Sequence, residues 1–421
     1  ALIVNKSSPK MLKSSNLSHY EMIRQFVDTL KRWGKAIFIG FNSIEFDEEF
    51  LRCTLFQTLE YPYITSTNGN TRGDILSLAR AANLYYPDTL KNSINAKGNA
   101  VYKLDQMAPL NGIEHGDAAH SAIGDVVATV GVAKLIVKKA PNVWKASMLT
   151  MDKNQSLELI QKELFFCTNE YFYGKSRPYV QTFICQHPQY QWPLCFDLKH
   201  DPGPYLAMSV QELTAAMKKQ PKFIRTVRHN KHPIIMNPAY GDKFEEYKMI
   251  GAIKLEKRAK LIKENKEFAE KISSIKRSEI EEKEHSKSQE DLYNEESIYA
   301  KFTTTEDNKI MPEFHAAEWE KKLSVISKFK DERLQYFGKK LLYMEKPEML
   351  SKSEYKMIHK DIAKKLLSTN NEKWNTIPRT YSEIDTLREK FEREGQQEKL
   401  EILNEINAYV EELENIYASV V

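Results

Sequence analysis

Two changes of hydrophobic period, near residues 140 and 250, constrain what this chain can fold into more than any other feature. Up to residue 140, stretches with helical spacing alternate with short apolar runs, which points to an α/β domain. "HYEMIRQFVDTLKRW" (19–33) places apolar residues at 22, 23, 26, 27 and 30, a helical stripe. "KAIFIGFN" (35–42) is a brief apolar run ending in Gly and Asn and reads as a buried strand. "FDEEFLRCTLFQTL" (46–59) and "GDILSLARAANLYY" (73–86) return to helical spacing, and the segment closes with the helix pattern of "AHSAIGDVVATVGVAKLIVKKAP" (119–141).

Between 150 and 250 the runs become short, aromatic and β-branched, separated by Pro, Gly and Asn, the pattern of a small β-barrel or sandwich. One helix interrupts them at 209–220, with Ser209 as N-cap and Glu212 completing a capping box. From 253 to 291 the chain is densely charged with sparse apolar positions and reads as a solvated helix and linker. The remainder is helical throughout, as in an all-α bundle. These shifts divide the 421 residues into segments 1–141, 142–252, 253–293 and 294–421, consistent with the two or three domains expected at this length.

Composition excludes several classes. No apolar run approaches the roughly 18 residues a membrane span needs, so membrane insertion is not expected. The start, Ala1-Leu2-Ile3-Val4-Asn5-Lys6, has no basic stretch and no initiator methionine, which argues against a secretory signal and suggests a processed or shortened chain. Cys53, Cys167, Cys185 and Cys195 show neither metal-site spacing nor the density of a disulfide scaffold, so a reduced, cytoplasmic setting fits. Residues 1–140 and 141–252 carry net charges of +3 and +4 and the rest −3, a mild preference for an acidic ligand on the first two segments.

Three residues could carry chemistry. Asp125 lies beside the apolar stripe Ile123, Val126, Val130, Ala133, Ile136, Val137, which is expected to be the helix's buried face. His120 precedes Asp125 by five residues, so on one continuous helix the two would point about 140° apart. They converge only if His120 sits in the loop or first turn. Asp47 follows the strand run directly, where sites gather in α/β sheets. Each also has a plainer reading: Asp47 and Asp125 as acids at the positive end of a helix dipole, His120 as an ordinary surface histidine. Together they offer two hard oxygen ligands suited to Mg²⁺ or Mn²⁺ and one base. A two-metal phosphodiester hydrolysis needs about four carboxylates, so the set is two short.

The residues also resemble a known family. "GFNSIEFDEEFLR", "NTRGDILSLARAANLYYPD", "YKLDQMAPLNGIEHGDAAHSAIGDVVATVGVAKLIV" and "ICQHPQYQWPLCFDL" are similar to bacterial exonuclease I, a single-strand-specific 3′→5′ DNA exonuclease, over essentially the whole chain. The resemblance implies an RNase-H-like α/β exonuclease domain followed by an SH3-like domain and a helical C-terminal domain. It implies Asp47 and Asp125 as metal ligands, the third and fourth of four acids, His120 as general base, and Lys103 as a DNA contact; Lys103 also reads as a solvated lysine. It implies two Mg²⁺ ions, or Mn²⁺ in their place, and release of 5′-mononucleotides in DNA repair and recombination. The partners implied are single-stranded DNA and the C-terminal tail of single-stranded-DNA-binding protein, with the enzyme a monomer in the bacterial cytoplasm.

Two departures stand out. Gly73 in "TRGDIL" occupies a place where the family has a bulky aromatic, so a packing or stacking role is lost there. The first two acids belong to an Asp-x-Glu strand that would precede Ala1. On that reading the nuclease domain is N-terminally incomplete, the edge of "KAIFIGFN" is exposed, and the chain is inactive as it stands. The competing reading is a single-strand-binding or scaffold protein that has shed the motif; a third is a related exonuclease acting on RNA or short oligonucleotides. The segment "KFIRTVRHNKH" (222–232), with four formal positive charges among aromatic and β-branched residues, suits a single strand or an ordinary exposed barrel face.

Overall fold

The structure is a computed structural model, describing residues 2–113, 122–286 and 292–418. It divides into two units. One comprises residues 35–49 and 63–291, the other residues 1–34, 50–62 and 292–421.

In the first unit, strand β1 (Ile37–Gly40) pairs in parallel with β2 (Thr71–Asp74), Ile37 opposite Thr71 and Gly40 opposite Asp74. The expected strand at 35–42 is therefore present, but it is not buried as expected: Ile37 and Ile39 are exposed on its described surface. β2 falls where helical spacing was expected to begin, because its residues are held by polar partners rather than by an apolar pattern. Asp74 ends the strand and caps the helix Ile75–Tyr85 by accepting from the Leu76 N–H. Gly73, where an aromatic was expected by resemblance, faces Met151: a Cβ there would lie 2.8 Å from the Met151 Cε. That methionine occupies the room a larger side chain would need.

Helices Leu104–Leu110, Ala122–Lys139, Pro141–Thr150 and Lys153–Lys162 follow. The helix Ala122–Lys139 is apolar nearly all round, and such a helix can bury either side. It turns Gly124, Ala128, Thr129, Val132 and Ile136 inward. Of the stripe expected to be buried, Ile123, Val126, Val130 and Val137 are exposed. The small residues Gly124 and Ala128 permit the closer approach, and the larger side chains form a groove wall.

The β-rich stretch is an antiparallel sheet in the order β3 (Phe166–Phe172), β4 (Lys175–Gln186), β5 (Pro193–Asp197), β6 (Ile224–Thr226), with an irregularity in β4 at Phe183/Cys185. The Ser209–Glu212 capping box starts the helix Val210–Lys218 as the sequence implied. The charged stretch after 252 is helical, in Ala252–Glu264 and Lys266–Ser286, but it is not merely solvated. Leu255, Ala259, Ile262, Phe268, Ile272 and Ile275 share one core with Val180, Leu194 and Phe196 of the sheet. At a spacing of three or four residues, few apolar positions are enough to bury one helix face.

The second unit is helical. Ser18 and Glu21 form a capping box on the helix His19–Trp33, which buries Tyr20, Ile23, Val27 and Leu30 and leaves Met22 and Phe26 exposed. Tyr20, Phe56 and Leu59 join Phe314, Phe329 and Phe337 in one core, drawing on segments almost three hundred residues apart. His315 completes this core: the Tyr20 hydroxyl donates to Nδ1 at 2.8 Å, and Nε2–H donates to the Leu59 carbonyl at 2.9 Å. Burial, reinforced by the nearby Arg24, lowers its pKa to about 3. His315 is therefore neutral, and Glu60 pairs with Arg24 rather than with it. Among the described residues no helix is long and apolar enough to cross a membrane.

Candidate nucleic-acid-processing site

β1 ends in a tight turn. A Cβ on Gly40 would lie 2.5 Å from the Ser43 Cβ, and Asn42 takes the left-handed conformation (φ 61°). The turn is held from inside by Asp74, 3% exposed, whose carboxylate accepts from the Asn42 N–H at 2.9 Å and the Ile44 N–H at 3.3 Å. Burial pushes the Asp74 pKa up, and these backbone donors pull it part of the way back.

The next helix, Asp47–Gln57, begins with Asp47, Glu48 and Glu49, acids at its positive end. They have separate fates. Glu48 is buried and meets Arg72 of β2 at 3.0 Å, also accepting from the Thr65 hydroxyl at 2.8 Å. Glu49 meets Lys231 at 3.3 Å, and Lys231 also reaches the Ile44 carbonyl at 3.3 Å and Glu45 at 3.5 Å. Asp47 is left exposed.

Asp47 opens onto a groove of about 1150 Å³ that is also lined by Lys103 and Asp125. Lys103 is the N-cap of the helix Leu104–Leu110, and Asp125 lies in the first turn of Ala122–Lys139, so each stands at a helix start. Three of the four residues selected from the sequence thus share one groove at the C-terminal end of a parallel strand. His120, the fourth, lies outside the described residues. The groove adds Asn42, Ser43 and Asp105, which sequence reasoning did not select, and its apolar wall is Val126, Val130 and Val137. Two exposed carboxylates on one groove form a hard-oxygen donor set that suits a divalent cation. Among the described residues no cluster of three or more His, Cys, Asp or Glu could hold a metal ion.

The segment 222–232 is less freely basic than its sequence implied. Arg225 pairs with Glu170 at 3.2 Å and stacks on Tyr179, while Lys231 is taken up by Glu45 and Glu49. Lys222 and Arg228 remain exposed and, with Arg80 and Tyr171, line a second cleft of about 620 Å³. The Arg80 guanidinium lies 3.8 Å from the Tyr171 ring centre.

His232 is structural. Its Nδ1 accepts from the Asp74 N–H at 2.9 Å and its Nε2–H faces the Ser147 carbonyl at 3.2 Å. Burial lowers its pKa to about 4. The unfolded chain therefore binds a proton between pH 6.5 and about 4 that the folded chain refuses. The stabilising contribution is complete above 6.5 and is lost as pH falls towards 4, by about 3 kcal/mol. Urea midpoints across that window should fall more steeply for the native chain than for His232→Gln, and parallel curves would refute the assignment.

The fold is mixed α/β, extended by a β-rich segment and completed by a helical region. Residues 292–413 match the exonuclease I C-terminal domain family. The chain is 30% identical over 166 residues to exodeoxyribonuclease I of Buchnera aphidicola subsp. Acyrthosiphon pisum, a match spanning 39% of this chain and 40% of that relative. It superposes on the crystal structure of E. coli exonuclease I in complex with a dA16 oligonucleotide with a TM-score of 0.76 at 18% identity, covering 98% of this chain and 87% of the other. An ExoI/SSB-Ct complex aligns with the same score, identity and coverage. Residues 292–413 thus carry an exonuclease I C-terminal domain, and the whole chain shares the fold of the exonuclease I structures.

Proposed function

We propose that this protein is an exodeoxyribonuclease that hydrolyses single-stranded DNA from its 3′ end to 5′-mononucleotides, in DNA repair and recombination. The observation that carries the reading is the convergence of Asp47, Lys103 and Asp125 on one groove, in a chain that bears an exonuclease I C-terminal domain.

In this reading Asp47 and Asp125 hold Mg²⁺, or Mn²⁺ in its place. Such an ion supplies Lewis acidity at a phosphoryl oxygen and lowers the pKa of water. The protein's own residues do the rest. Lys103 pairs with a phosphate and fixes the strand's position without reading its sequence. His120 takes the proton of the attacking water. The valine wall of the groove gives bases an apolar face. The exposed Lys222 and Arg228, with Arg80 stacked on Tyr171, offer a further basic and aromatic surface for the strand.

The proposed partners are single-stranded DNA and the C-terminal tail of single-stranded-DNA-binding protein, since the structural neighbours include exonuclease I with an oligonucleotide and an ExoI/SSB-Ct complex. Four free cysteines, Cys53, Cys167, Cys185 and Cys195, agree with work in the cytoplasm.

The test is release of mononucleotides from a single-stranded oligonucleotide by a reconstructed protein that carries the Asp-x-Glu strand ahead of Ala1. His120→Ala should keep the oligonucleotide's affinity and lower turnover by about 10²- to 10⁴-fold. Undiminished turnover removes His120 from the mechanism, and RNA degraded as fast as DNA would overturn the substrate assignment.

A further inference from the structure

In the helical unit, the helix Lys352–Leu366 carries Lys352, Lys356, Lys360 and Lys364 at four-residue intervals, all exposed. None of them forms an ion pair with a described residue, whereas Lys339, Lys340 and Lys365 nearby are each matched to a carboxylate. Like charges four apart on a helix repel, and Lys352 sits in the first turn, where the helix dipole disfavours a cation. The row thus costs stability in the isolated protein.

The first three lysines, about 6 Å apart along the helix axis, edge a groove of about 810 Å³ whose other walls include Leu350, Tyr355 and His359. Tyr355 and His359 stack, with ring centres 5.7 Å apart and planes 16° apart, and Tyr417 stacks on His359 at 4.8 Å. His359 is 7% exposed, and its Nδ1 lies 2.6 Å from the Tyr343 hydroxyl.

We propose that this groove is a second binding platform for single-stranded DNA, with phosphates along Lys352, Lys356 and Lys360 and a base on the Tyr355–His359 stack. The proposal rests on the nuclease reading and adds a site on the helical unit, built from residues other than those of the acidic groove. Charge complementarity selects the occupant. A line of separate point charges suits a chain of evenly repeated single negative charges, and the exposed aromatic face accepts any base. The groove has no arginine fork of the kind that recognises one carboxylate or phosphate in bidentate geometry.

The experiment is fluorescence anisotropy of the full chain with a labelled oligothymidylate in chelator, titrated with salt. Each of Lys356→Gln and Lys360→Gln should flatten the slope of log affinity against log salt by about 0.7, and the double variant by about 1.4. Tyr355→Ala should weaken binding roughly tenfold at unchanged slope. The lysine variants relieve repulsion and should melt no lower than the native chain. An unchanged slope in a chain that still binds the oligonucleotide overturns the platform and leaves the nuclease reading standing. A native chain that binds no oligonucleotide overturns both. Loss of binding to an acidic peptide in these variants, with oligonucleotide affinity unmoved, overturns the platform in favour of a protein partner, as does loss of a dimer in sedimentation.

Discussion

In a reconstructed protein that carries the Asp-x-Glu strand, Asp125→Asn and Asp47→Asn are each expected to lower the turnover of single-stranded DNA by about a thousandfold, or about 4 kcal/mol, while leaving the fold intact. Both carboxylates are exposed at helix starts, and neither forms an ion pair with a described residue. The amide keeps the shape and removes the charge, so the loss would fall on cation binding and on charge stabilisation during hydrolysis. Oligonucleotide affinity measured in chelator should stay the same or rise slightly, because a negative charge leaves the strand's path. A variant with native turnover would remove that residue from the metal-binding set. A variant with lost turnover and an early melting transition would mean that the residue serves the fold instead.

The second large effect concerns the support beneath Asp47. Glu48 and Arg72 are 6% and 7% exposed and 3.0 Å apart, and Arg72 also donates to the Asn230 carbonyl at 2.9 Å. Glu48→Ala removes the buried carboxylate that balances the Arg72 charge and should cost about 3–5 kcal/mol, read as a fall in the denaturant midpoint. Replacing both partners with methionine should recover most of that loss, since the penalty comes from burying a charge without its counter-charge more than from the missing ion pair. If Glu48→Ala and the double variant were equally unstable, the ion pair would be a net contributor rather than a balanced substitution for apolar packing. In either case Glu48→Ala should also reduce turnover, because Asp47 precedes Glu48 in the same helix turn.

How much of this could be read in advance follows from the range over which each feature is encoded. The β1 strand, the helix Asp47–Gln57 and the Ser209–Glu212 capping box are written within a dozen residues each, and they stand where expected. Position singles out Asp47 and Asp125, the resemblance adds Lys103, and the three share a groove. The burial of the helix carrying Asp125 was misjudged because large apolar residues were favoured over Gly124 and Ala128, which pack closer. β2 was missed because Arg72 and Asp74 find their partners at Glu48, Asn42 and Ile44, and no local pattern encodes those contacts. His232 looked like part of a basic DNA-binding run, yet its ring bonds to the backbone of Asp74 and Ser147. A signal did exist for Asp74: an acid directly before a helical run is an N-cap pattern, and such a residue has lone pairs left to bind elsewhere.

The division of the chain also bears on its synthesis. Residues 9–13 pack against the final helix, with Lys13 meeting Glu412, and Tyr20 lies in a core with residues beyond 310. The helix His19–Trp33 carries an apolar face whose partners are translated almost three hundred residues later. Residues 63–291 can meanwhile assemble from their own neighbours. The helical unit is thus opened before residues 63–291 and closed after them, and the nascent protein must carry an unsatisfied amphipathic helix while those residues are made.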